Sequence, residues 1–228
     1  MEGDGADTLQ DRYHRVMSQV ANAATQAGRH PDDITTIVVT KFHPVSLIRE
    51  LHALGQRDFG ENRHQEAVAK HADTQGLDLI WHFQGQLQSN KAKAVAGYAD
   101  VIHSIDRESL LTKLADQDRH VDIFLEVNLT DDPHRGGVMP DGLVALVEKT
   151  LTVSQVTLRG LMAVAPQDED PAKAFDTVVA LREQVLPLAP HATDLSMGMS
   201  GDFTEAIFAG ATHLRIGTAI TGKRPPAV

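Results

Sequence analysis

After one opening helix, short apolar runs alternate with amphipathic stretches along nearly the whole chain. In that helix Leu9, Tyr13, Val16, Val20, Ala23 and Ala27 recur at helical spacing, and Gly28 closes it. Residues 34–40 are apolar or β-branched without interruption, which predicts a strand buried on both faces. Pro44 then opens a helix carrying Leu47, Ile48, Leu51 and Leu54 on one side, with Gly55 as its stop. The unit recurs as strands predicted at residues 58–60, 77–83, 101–103, 121–128, 156–164, 193–196 and 213–216. Helices are predicted between them: near 62–71, near 89–95, around Leu110 and Leu114, around Leu143 and Leu151, around Phe175 and Val185, and around Phe203 and Ile207.

Eight strands, each but the last followed by a helix, fit the length of one α/β (β/α)₈ TIM-type barrel with an extra N-terminal helix. A doubly wound open sheet uses the same alternation and is the runner-up. No linker, low-complexity tract or composition shift divides residues 1–228, so one domain is expected.

Composition narrows the function classes. A net charge of −10 argues against a non-specific nucleic-acid or anionic-membrane binder, because those need a cationic face. The absence of cysteine removes disulfides, thiolate metal sites and thiol nucleophiles, and suits a reducing cytoplasm. The acidic, glycine-bearing start from Met1 to Asp7 does not read as a signal peptide, and no segment has the length of a membrane span. A cytoplasmic location follows as the expectation, and the match of Asn128-Leu129-Thr130 to a glycosylation sequon is read as chance.

The chemistry is expected at the C-terminal ends of the strands, where the loops of such a barrel converge. Lys41 follows the run Ile37-Val38-Val39-Thr40. A partly desolvated lysine there becomes a carbonyl nucleophile. The plain alternative is a lysine whose charge reaches the rim and does nothing. Two later segments suit an anion: Ser196-Met197-Gly198-Met199-Ser200-Gly201, with Ser200 expected as a helix N-cap, and Arg215-Ile216-Gly217-Thr218. Capping and turn formation explain the same residues, and Asp202 in the first helical turn would compete with a phosphate. Asn62 and His82 also lie at predicted strand ends, with capping and core hydrogen bonding as their ordinary readings.

Other patterns fail. Gly217 to Arg224 lacks the final Ser or Thr of a phosphate-binding loop, and Pro225-Pro226 forbids the helix that must follow. No G-x-G-x-x-G follows a strand, no G-x-S-x-G nucleophile turn is present, and the 12 histidines look scattered, without metal spacing.

Seven segments in register nevertheless point to one family. Thr40-Lys41-Phe42-His43-Pro44, Phe59-Gly60-Glu61-Asn62, Trp81-His82-Phe83, Leu87-Gln88-Ser89-Asn90-Lys91, Leu158-Arg159-Gly160-Leu161-Met162, Leu195 to Ser200 and Arg215 to Thr218 resemble the pyridoxal phosphate homeostasis proteins. The resemblance implies an alanine-racemase-like barrel holding pyridoxal 5′-phosphate (PLP) as a Schiff base on Lys41. It places Ser200, Gly217 and Thr218 around the phosphate, Asn62 near the ring, Met199 and His82 along the pocket, and Arg215 facing the pyridine nitrogen. It implies Asp202 turned away from that phosphate. It also implies a role in vitamin B6 balance without catalysis, with PLP-dependent apo-enzymes as partners. The chain stops at Val228, so the second domain of a racemase is expected to be absent and the protein monomeric. A PLP-dependent racemase or lyase is the alternative, and a phosphate-binding barrel without PLP a third reading. The sequence departs from the family at Arg63, at Gln84 and at Arg135-Gly136-Gly137, all expected at the rim or in a loop.

Overall fold

The computed structural model describes residues 7–130, 132 and 135–223. The chain before Asp7, and Arg224, Pro225 and Pro226 of the rejected phosphate-loop pattern, lie outside the described residues. Eight strands are present: β1 (Thr35–Val39), β2 (Asp58–Glu61), β3 (Ile80–Phe83), β4 (Val101–Ile105), β5 (Val121–Glu126), β6 (Val156–Met162), β7 (Asp194–Ser196) and β8 (His213–Ile216). Each pairs in parallel with the next, and β1 pairs with β8, setting Ile37 opposite Arg215. That last pairing closes the barrel and excludes the open sheet.

The helices are α1 (Leu9–Gln26), α2 (Val45–Ala53), α3 (His64–Asp73), α4 (Ala92–Ala96), α5 (Glu108–Leu114), α6 (Leu143–Leu151), α7 (Pro171–Val185), α8 (Phe203–Phe208) and α9 (Thr218–Thr221). Thr8 starts α1 with a capping box: its Oγ1 accepts from Asp11 N, and Asp11 Oδ2 accepts from Thr8 N, both at 3.1 Å. The apolar stripes read from the sequence face the sheet, where Ile48, Leu51, Phe59, Leu110 and Phe175 are fully buried. Among the described residues no helix is long and apolar enough to cross a membrane.

Three details differ from the sequence reading. β3 starts at Ile80 rather than residue 77, because Gly76 (φ +88°) puts Leu77 to Leu79 into a turn. The helix expected from residue 89 begins as a 3₁₀ turn, Ser89–Lys91. β8 is also followed by a helical turn, α9, tied to α1 by Arg12 Nε donating to Ile220 O at 2.8 Å.

Candidate functional site

Lys41 stands two residues beyond the end of β1, in a tight turn. Phe42 has φ +68°, a left-handed conformation that costs a non-glycine residue roughly 1–3 kcal/mol. The surroundings hold it there. Phe42 N donates to Glu66 Oε2 at 2.9 Å, His43 N donates to Thr40 O at 3.0 Å, and the Arg63 guanidinium lies 4.7 Å over the Phe42 ring. Beneath the turn, Lys70 Nζ donates to Glu61 Oε1 at 2.6 Å and to Thr40 O at 2.8 Å. Thr40 Oγ1 donates to the same Glu61 oxygen at 2.7 Å. The buried lysine of this region is therefore Lys70, paired as burial demands, whereas Lys41 is exposed at the mouth. Burial pushes the Glu61 carboxyl up, against the opposing pull of Lys70. This buried pair is the platform that aims the Lys41 turn, and sequence reasoning missed it.

Lys41 lines a cavity of about 510 Å³ at the C-terminal mouth, together with Asn62, Met199, Ser200, Arg215, Gly217 and Thr218. Seven of the eight predicted site residues thus meet in one place. In the same cavity, on the loops that follow β7 and β8, the N–H groups of Ser200, Gly201 and Thr218 have no partner among the described residues. They form a cradle of loop donors suited to an anion. Gly198 shapes it. With φ +92°, an added Cβ would fall 2.6 Å from Ala206 Cβ, so only glycine fits that bend.

Ser200 is not the N-cap expected of it. α8 starts later, with Asp202 at the cap position, and Ser200 Oγ accepts from Ala219 N at 3.3 Å. The serine therefore ties the two anion-facing loops together. Asp202 Oδ1 accepts from Met199 N at 2.5 Å, which withdraws its carboxylate from the cavity and consumes that one N–H.

Asn62 and Gln84 face the cavity from the ends of β2 and β3, each with a buried side-chain oxygen lacking a hydrogen bond among the described residues. Gly85 allows this approach, since a Cβ there would overlap the Asn62 carbonyl. Such orphaned acceptors are costly unless a ligand satisfies them. Of the departures from the family pattern, Gln84 thus enters the cavity wall, while Arg63 stacks on the Lys41 turn.

His82 is the exception among the predicted residues. It does not line the cavity; its ring points down inside the barrel, bonded to His103 and Asp58, because inward positions of neighbouring strands stack in layers. The histidines are not all scattered either. His82, His103 and His213 have ring centroids 5.1–6.5 Å apart in the barrel interior, although no metal-binding group occurs among the described residues.

Two titratable cavity residues were not foreseen. Glu126, the last residue of β5, is pushed up to about 7 by burial and by Asp106, against the pull of Arg215 and Arg135. Its place at a strand end was the available signal. His43 is pushed down, chiefly by burial and then by Lys70 and Arg12. Arg215 forms the floor. Its Nη1 donates to Ser196 O at 2.6 Å and Ser196 Oγ at 2.8 Å, and its Nη2 to Ala163 O at 2.8 Å. Burial lowers the guanidinium to about 10, so it remains a cation at neutral pH.

The family model for the N-terminal domain of alanine racemase matches residues 16–225. The pyridoxal phosphate homeostasis protein of Pseudomonas aeruginosa is 38% identical over 221 residues, covering 95% of this chain and 96% of that one. The Escherichia coli K12 protein of the same description is also 38% identical, covering 92% of this chain and 94% of its own. PipY of Synechococcus elongatus, solved with PLP bound, superposes with a TM-score of 0.78 at 39% identity, over 90% of this chain and all of that one. Alanine racemase from Corynebacterium glutamicum shares the fold at a TM-score of 0.68 and 15% identity, and this chain spans 61% of it. The chain belongs to the alanine racemase N-terminal domain family and, within it, to the pyridoxal phosphate homeostasis proteins.

Proposed function

We propose that the barrel holds PLP in the mouth cavity and serves vitamin B6 homeostasis as a carrier of the cofactor rather than as an enzyme. The observation that carries this reading is one cavity lined by both an amine and a cradle of N–H donors unpartnered among the described residues. The residues fit the group. Lys41 Nζ condenses with the aldehyde, releases water and anchors the cofactor as a Schiff base. Ser200, Gly201 and Thr218 hold the phosphate through their N–H groups, with the Thr218 hydroxyl beside them and Gly217 in the turn. Asn62 and Gln84 turn orphaned carbonyl oxygens to the cavity that would accept from a donor such as the ring hydroxyl, and Met199 closes one wall. Relatives described as pyridoxal phosphate homeostasis proteins, and PipY with PLP bound, support the assignment.

Bound PLP supplies an electron sink, strongest when its ring nitrogen is protonated. Arg215 opposes that proton, because a fixed guanidinium beside a pyridinium is a repulsive pair of cations. This favours storage and delivery over carbanion chemistry. A single barrel domain acting as a monomer in the cytoplasm, and passing PLP to apo-enzymes, completes the reading.

Borohydride reduction followed by peptide mass spectrometry tests it. The expected result is a PLP adduct on Lys41 that Lys41→Ala abolishes, and an equal adduct in both proteins overturns the attachment point. The racemase or lyase alternative draws on one observation, that Glu126 is poised near neutrality in the same cavity. Loss of the α-proton of L-alanine in deuterated water at enzyme-like rates would favour it.

A further inference from the structure

The interior of a (β/α)₈ barrel is ordinarily filled by layers of branched aliphatic side chains. Here an unbroken line of polar groups replaces part of that filling. It starts at Arg215 on the cavity floor, whose Nη1 donates to Ser196 Oγ at 2.8 Å. Ser196 Oγ lies 2.8 Å from His103 Nδ1, His103 Nε2 lies 2.9 Å from His82 Nδ1, and His82 Nε2 lies 3.0 Å from Asp58 Oδ1. Asp58 is the first residue of β2, so the line runs from the C-terminal mouth to the opposite end of the barrel. Ser196 and His103 are fully buried, His82 nearly so, and the Asp58 side chain is 22% exposed, the most exposed member of the line.

While both rings are neutral, the two ends fix its direction. A guanidinium only donates and a carboxylate only accepts. With both rings neutral, Ser196 accepts from Arg215 and must give its own proton to His103 Nδ1. His103 then carries its proton on Nε2 and donates to His82 Nδ1, and His82 carries its proton on Nε2 and donates to Asp58. Complete burial keeps His103 neutral by holding its pKa well below the ordinary value, with His82, His213 and Arg215 adding to the effect. His213 packs against both rings, but its Nδ1 is engaged by Thr212 Oγ1 at 2.8 Å, so it stands beside the line and not in it. A second proton on His82 would reverse the section up to Ser196 and turn His103 into the Nδ1–H tautomer.

We propose that Ser196, His103, His82 and Asp58 are positioning residues for Arg215, forming a one-way donor chain that locks its guanidinium where the PLP ring nitrogen would meet it and couples the site to the far end of the barrel. The coupling to PLP rests on the proposed function; the chain itself does not. Its consequence is that Asp58, far from the cofactor and in contact with none of the cavity, helps set how the ring nitrogen is held.

Nitrogen-15 NMR of the histidine rings in the PLP-free protein tests the chain, and the visible absorbance of the PLP-loaded protein tests its effect. The wild type should show His82 and His103 both as Nε2–H tautomers. In Asp58→Ala the His103 resonances should move toward a tautomer mixture and the visible maximum should shift, while Asp58→Asn, which keeps an acceptor oxygen, should preserve both signals. His103 found as Nδ1–H in the wild type overturns the chain without any variant, even if Asp58→Ala fails to fold. A wild-type visible band that Asp58→Ala leaves in place, with an altered His103 tautomer, overturns the coupling. A wild type with no visible band at all overturns the PLP reading, a failure the NMR result keeps separate from that of the chain.

Discussion

The two ends of the barrel handle their polar groups in opposite ways. At the N-terminal end most of them are paired within the protein, the buried Thr36 Oγ1 being an exception among the described residues. Gln56 Nε2 donates to Thr36 O at 2.8 Å and Asp58 O at 2.6 Å, Trp81 N donates to Asp100 Oδ2 at 2.8 Å, and Arg159 bridges Asp194 and Asp122 at 2.8 and 3.4 Å. At the C-terminal mouth the Ser200, Gly201 and Thr218 amides and the Asn62 and Gln84 oxygens lack partners among the described residues, and Phe42 is held in a strained turn. The paired end contributes stability; the mouth forgoes hydrogen bonds that a ligand can complete. What marks the mouth is that several unsatisfied donors and acceptors converge on one cavity there.

That contrast is sharpened most by attacking the platform under the mouth. Lys70→Met leaves Glu61 buried without its cation and should cost about 3–5 kcal/mol, read from the denaturation midpoint, with PLP loading lost alongside. Next is Glu126. Its folded pKa, about 7, lies above its ordinary 4.5, so the native protein should be unaffected below about pH 4.5 and lose stability as pH rises through 7. Glu126→Gln should remove that loss, gaining up to about 3 kcal/mol relative to the native chain across the window in denaturation measured against pH. A smaller effect is expected at the cradle, where Thr218→Val deletes a hydroxyl but keeps the N–H. PLP titration should show binding weakened by about five- to tenfold with stability unchanged, the worth of one hydrogen bond. Least of all, Arg159→Ala at the paired end should cost under about 1 kcal/mol and leave PLP binding untouched, because that side chain is 45% exposed. A large loss of PLP binding in Arg159→Ala would break the division between the two ends.

The order of strands and helices was legible in the sequence because it is local. Period, β-branched runs and the stops at Gly28 and Gly55 act over a few residues, and the structure places glycines with positive φ at both. Lys41 was legible for the same reason, as the polar residue next to an apolar strand, and the seven segments in register added its neighbours at the mouth. The role of Ser200 was not legible, since whether it caps α8 or bridges to Ala219 depends on a loop 19 residues away in sequence.

What the tertiary structure alone decided lies across the barrel. Closure of β1 on β8 separates the barrel from an open sheet of identical alternation. Glu126 and Arg215, and His103 with Ser196, 93 residues apart, meet only because inward positions of a closed sheet converge, while Glu61 meets Lys70 because α3 packs back on the strand it follows. His82 looked like a pocket residue and belongs to that interior instead. Period and turn chemistry are properties of neighbours along the chain, whereas burial, pKa and hydrogen-bond direction belong to neighbours in space, which exist only once the ring of strands has closed.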